Sequence, residues 1–155
     1  MLRIFPRLLA FILGKRVVVQ GWSMHPTLAP EERVLFDRLA YRRKTPRRGD
    51  IVLVRHPQRP EMLLIKRIAG VQGDTVAPSE AGWQINSSLL ADSSAETDAL
   101  NQAERALATD EYFLLGDQPD HSTDSRHFGP VHRGHILGRA RLVYWPPGRF
   151  REIRD

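Results

Sequence analysis

From residue 17 onward the chain runs in short stretches of β-branched and aliphatic residues, each closed by Gly, Pro or Asp. That punctuation predicts strands and tight turns rather than helices. Val17-Val18-Val19 is the first run, and Gly21 closes it. Arg33 to Phe36 forms the second and leads into a basic loop, Arg42-Arg43-Lys44-Thr45-Pro46-Arg47-Arg48. After Gly49-Asp50 comes Ile51-Val52-Leu53-Val54, apolar without alternation, which predicts a strand buried on both faces. Met62 to Val71 predicts a long strand with a bulge near Gly70, and Gly73-Asp74 turns into Thr75-Val76. Strand signals return at Tyr112-Phe113-Leu114-Leu115 and at Ile136 to Tyr144. Pro146-Pro147-Gly148 then stops the last strand, and residues 147–155 read as a charged tail.

Between these strands, residues 78–111 differ in texture and read as an insertion into the β body. Trp83-Gln84-Ile85-Asn86 predicts one strand followed by a turn. Thr97 to Ala108, rich in Ala, Leu, Glu and Gln with Asp98 placed as an N-cap, predicts a short surface helix or a loop. The expected class is mostly β: an antiparallel sheet or barrel-like body over residues 17–146, a small inserted β/helical region and a short N-terminal apolar helix.

Residues 1–16 are apolar and basic. Ile4 to Leu13 is interrupted only by Pro6 and Arg7, and at ~1.5 Å per residue it reaches about 15 Å as a helix. A bilayer core of about 30 Å needs roughly twice that. With Arg3, Arg7, Lys15 and Arg16 around it, the segment suits a helix lying at a membrane surface, or one docked on its own domain. Its basic start resembles a signal peptide, but Pro6 and Arg7 break the apolar stretch and no small-residue cleavage site follows.

Charge sharpens this reading. Of 155 residues with a net charge of +5, the stretch 79–111 holds seven acids and one Arg, leaving 22 basic against 11 acidic residues elsewhere. So basic a body favours an anionic surface, lipid headgroups or nucleic acid. A nucleic-acid module would use the loop Arg42 to Arg48 on phosphates, yet no helix-turn-helix, zinc finger or aromatic RNA-binding box accompanies it. The absence of cysteine removes disulfides, thiolate metal sites and a cysteine nucleophile together.

Two features could carry chemistry. Ser23 follows a strand and Gly21, with Pro26 stiffening what comes next, so its hydroxyl is held at a bend. A serine there is by itself only a turn residue. Lys66 is one of three lysines among 23 basic residues, and alternation puts it on one strand face with Leu64 and Ile68. Desolvation on a buried face lowers an ammonium pKa, and a neutral lysine can accept a proton from a hydroxyl where arginine cannot. The same pattern also fits a lysine snorkelling at a strand edge. His121, His127, His132 and His135 offer rivals. His132 and His135 have a spacing that meets on a helix face, but Gly129, Pro130 and Gly134 argue against a helix. A Ser–His–Asp triad of Ser23, one of these histidines and Asp124 would leave Lys66 unexplained.

Four boxes together resemble the type I signal peptidase family: Ser23-Met24-His25-Pro26-Thr27-Leu28; Gly49-Asp50-Ile51-Val52; Ile65-Lys66-Arg67 through Gly73-Asp74; and Gly116-Asp117 through Ser122-Thr123-Asp124-Ser125-Arg126 to Gly129. The resemblance implies a Ser–Lys dyad of Ser23 and Lys66, needing neither metal nor cofactor. It implies that Ser122 aims the lysine, that Asp124 and Arg126 form a bracing ion pair, and that Asp117 belongs to the same scaffold. Gly21 stands where some members carry a hydroxyl donor, and Gln118 replaces the family's Asn. The implied partner is an exported or targeted precursor bound as an extended strand, with membrane-surface contact and no nucleic acid; Trp22, Phe11 and the terminal apolar run fit that contact, and each fits a core position equally well. The implied location is a plasma membrane with the catalytic domain outside the cytoplasm. Short members that mature nickel-type superoxide dismutase share some of these boxes, and that narrower role would place the protein in the cytoplasm.

Overall fold

A computed structural model describes residues 13–79, 82–90 and 103–154. Its strands are β1 (Lys15–Val18), β2 (Arg33–Asp37), β3 (Ile51–Arg55), β4 (Leu63–Gly70), β5 (Thr75–Ser79), β6 (Gly82–Ile85), β7 (Ser88–Leu89), β8 (Arg105–Ala106), β9 (Glu111–Leu115), β10 (Val131–His132), β11 (Ile136–Trp145) and β12 (Arg151–Glu152). A turn of α-helix, α1 (Ser125–Phe128), lies between β9 and β10. The larger sheet runs β1-β2-β11-β3-β4-β9-β10 with β12 added on β11, and the smaller runs β7-β6-β5-β8. Every pairing within them is antiparallel.

The unbroken apolar run of β3 has a direct cause. Ile51 and Leu53 enter one core with Met24, Leu28, Phe36 and Val143, while Val52 and Val54 enter a second with Ile68, Leu114 and Val131. A strand whose alternate side chains serve two cores has no polar face. Its neighbour β4 carries the expected bulge, a register shift against β9 between Ile68 and Gly70.

On the β9 side, the last β4 pair is Arg67 with Leu115. Among the described residues, therefore, Leu63 to Lys66 have ladder partners only on the β3 side. Among the same residues, β1 pairs only with β2. Both of these strand sides border the cavity described below.

Three expectations are revised. Arg105 and Ala106 form a strand paired with Thr75 and Val76 rather than the end of a helix. Leu107 beside them is buried with Trp83 and Phe113, so burial and a ladder outweigh the helical propensity of an Ala-rich stretch. β1 opens at Lys15, two residues before the valine run. The C-terminal residues do not run free: after a turn at Pro147–Arg149, β12 folds back onto β11. Asp98, Phe11 and all of the expected N-terminal helix except Leu13 lie outside the described residues. Among the described residues no helix is long and apolar enough to cross a membrane.

Candidate active site

Ser23 sits in the turn between β1 and β2. Met24 and Leu28, both fully buried, anchor that turn in the first core, and their backbones close it with a hydrogen bond from Leu28 N–H to Met24 O of 2.8 Å. Gly21 enters the turn at φ +75°, a left-handed conformation that favours glycine. Ser23 itself is half-buried, and its carbonyl accepts the Gln118 N–H at 3.0 Å.

Lys66 occupies the inward face of β4 and is only 2% exposed. Its Nζ donates to Ser122 Oγ at 2.9 Å, and the Ser122 hydroxyl donates to Asp124 Oδ2 at 2.7 Å. Asp124, fully buried, also accepts Gly116 N–H at 2.9 Å and both Nε and Nη2 of Arg126 at 2.9 and 2.8 Å. It caps α1 as well, accepting the Arg126 backbone N–H.

The electrostatics follow from that arrangement. Burial pushes the Lys66 amine down to about 8, opposed by the attraction of Asp124 and assisted by the repulsion of Arg126. Burial pushes Asp124 upward, but the Arg126, Gly116 and Ser122 hydrogen bonds together hold it below the usual carboxylate range. The result is a fixed carboxylate, a committed hydroxyl and an amine that loses its charge around pH 8.

Ser23 and Lys66 line one cavity of ≈ 590 Å³, bordered by β1 and by residues 61–66. Gly116 is where the two halves meet. A Cβ there would lie 2.2 Å from Ser122 Oγ and 2.6 Å from the Ser23 carbonyl oxygen, so only glycine lets them approach. Asp117 is the bidentate partner of Arg67, at 2.8 and 2.7 Å.

The histidines stand apart from this cavity, whose lining contains none. His127 Nδ1 accepts the Asp124 backbone N–H, and His132 Nδ1 accepts that of Gly134 within its own turn. Among the described residues no group of three or more His, Cys, Asp and Glu is gathered in a way that could hold a metal ion. In the basic loop, Arg48 is committed to the Ala69 carbonyl at 2.5 Å and to Asp74 at 2.6 Å.

The sequence model of the family described as signal peptidase, peptidase S26, matches residues 4–145 of this chain. The chain belongs to the S26 family. Among its relatives, a probable signal peptidase I-2 from Synechocystis is 32% identical over 139 residues, covering 86% of this chain and 64% of that protein. The mitochondrial inner membrane protease subunit 2 of Danio rerio is 34% identical over 140 residues, covering 87% and 66% respectively. The chain thus spans just under two-thirds of the length of both relatives. A solved signal peptidase I from Enterococcus faecalis matches 62% of this chain and 97% of its own at 25% identity, with a TM-score of 0.45.

Two residues of this S26 chain carry geometry that the sequence did not disclose. Arg67, next to Lys66, donates to Asp117, to the Gly49 carbonyl at 2.9 Å and to Thr27 Oγ1 at 3.2 Å, tying the serine turn to β4. The close approach at Gly116 is the second. Both stand inside the quoted boxes, but neither contact has a sequence signature, because Asp117, Thr27 and Gly49 for Arg67, and Ser23 for Gly116, lie far away along the chain.

Proposed function

We propose that this protein is a serine endopeptidase that removes leader peptides from precursor proteins, with Ser23 as nucleophile and Lys66 as its base. The observation that carries the reading is a buried amine, depressed toward neutrality and held by Ser122, that shares a cavity with a serine placed on a turn. In the neutral state Lys66 takes the Ser23 hydroxyl proton as Oγ attacks the scissile carbonyl. The Ser23 backbone N–H serves the developing oxyanion, since Gly21 offers no side-chain donor. As the C–N bond breaks, Lys66 gives its proton to the leaving amine, and a serine ester remains. Water then attacks the ester, passing a proton to Lys66 and on to Ser23 as the bond to Oγ breaks. Ser122 and Asp124 keep the amine aimed throughout.

The substrate enters as an extended strand. Among the described residues, β1 is laddered only to β2 and Leu63 to Lys66 only to β3, and both segments border the cavity, where an extended peptide would add as a further strand. Val18, Met62 and Leu63 line the cleft and are exposed, and Leu13 and Trp22, close to β1 and Ser23 in sequence, are exposed too, an apolar set suited to a membrane surface. Relatives named for the mitochondrial inner membrane support that placement.

The test is cleavage of precursor peptides carrying small residues before the cut. Ser23→Ala and Lys66→Ala should each lose more than about a thousandfold, because the pair acts as one unit. Unchanged activity in the Lys66 variant would overturn the dyad.

A further inference from the structure

The family match ends at residue 145, yet the chain beyond it reaches back to the serine turn. Arg151, on β12, donates from Nη1 to Glu32 Oε1 at 2.8 Å and from Nη2 to Glu32 Oε2 at 2.8 Å. The same Nη2 donates to the Thr27 carbonyl at 2.7 Å. Glu32 is 1% exposed, accepts the Ala29 N–H at 3.0 Å, and has Arg149 at 3.5 Å as a second cation. Its backbone carbonyl holds Val19 N–H at 2.8 Å, closing the base of the loop that carries Ser23.

Thr27 is therefore gripped from two sides. Arg67, adjacent to Lys66, holds its hydroxyl, and Arg151 holds its carbonyl. One helical-type hydrogen bond, Leu28 N–H to Met24 O, links that grip to the residue after the nucleophile. We propose that Arg151, acting through Glu32 and the Thr27 carbonyl, is a positioning residue that fixes the serine turn against β4. The C-terminal hairpin is then a clamp on the nucleophile rather than an appendage. Burial explains why the clamp is firm: a bidentate guanidinium–carboxylate pair with one partner out of water has few alternative geometries.

The inference rests on the dyad reading for its catalytic consequence, but its mechanical part has an independent readout. Amide hydrogen exchange at His25 and Leu28, whose N–H groups close the turn, should speed up in Arg151→Ala and recover partly in Arg151→Lys. Glu32→Gln, which keeps the shape and removes the charge, should behave between the two. In peptide cleavage, measured well below the unfolding temperature and normalised to folded protein, Arg151→Ala should lower kcat by about tenfold to a hundredfold, since small misplacements of a nucleophile cost that much. KM should stay within about twofold, because the substrate edges are untouched. Wild-type kcat per folded molecule in Arg151→Ala, or unchanged exchange at His25 and Leu28 in every variant, would overturn the clamp. Should the wild type itself cleave nothing, the peptidase reading falls, and the exchange data alone then decide whether the clamp exists.

Discussion

The Nζ of Lys66 donates to Ser122 Oγ at 2.9 Å across a sequence separation of 56 residues. Because the Ser122 proton is committed to Asp124, its oxygen faces Lys66 as an acceptor. One N–H of the lysine is spent there in either protonation state, and the lone pair of the neutral amine is left to point elsewhere. Ser122→Ala should therefore lower kcat by about tenfold to a hundredfold with little change in KM, as loss of an aiming contact does. Ser122→Thr, which keeps the hydroxyl, should recover part of it; steady-state kinetics on both variants checks this.

The amine can be watched directly, since the chain has only three lysines, Lys15, Lys44 and Lys66. Nitrogen-15 NMR of labelled lysine side chains should show one Nζ titrating near 8. Replacement of Lys66 by Met should remove that signal and no other.

A buried ammonium is a cost to folding. Lys66 has a folded pKa of about 8 against an ordinary value of 10.5, so below 8 both states carry the proton and the native state bears the penalty. Between 8 and 10.5 the unfolded chain binds more protons, and stability rises with pH. Lys66→Met should thus stabilise the inactive protein at pH 7 by about 1–3 kcal/mol, an advantage that shrinks above pH 8. Urea unfolding at pH 7 and pH 10 measures both parts.

Gly116→Ala should be severe. The added methyl meets both a backbone carbonyl and the Ser122 hydroxyl at well under contact distance, so either the serine turn or the Ser122 loop must move. Overpacking of this kind costs about 1–3 kcal/mol. Activity should fall more than stability does, because the displaced groups flank the proposed dyad; a denaturation curve beside a cleavage assay separates the two.

Much of this arrangement is legible in the sequence, for identifiable reasons. The run Ile51 to Val54 announces a strand buried on both faces, whereas alternation leaves Lys66 open between a buried face and a strand edge, and the fold places it inside. The bulge at Gly70 and the turn at Asn86 follow from glycine and turn chemistry. What stays hidden depends on contacts between segments far apart. Leu107 draws its neighbours into a strand because Trp83 and Phe113 are there to cover it. Arg151 looks like tail charge until the fold places Glu32, 119 residues away, against it. Arginines near acids are common on surfaces, so no local pattern separates such a clamp from a solvated pair.

The claim that a neutral Lys66 activates Ser23 is tested most directly by the pH dependence of kcat/KM for peptide cleavage. The protonated amine cannot act as a base, so the rate should be low below the amine's pKa and rise through a single ionisation near pH 8, matching the lysine titration seen by NMR. A profile flat from pH 6 to 10, or one rising through the ordinary histidine value of ~6.5, would contradict it.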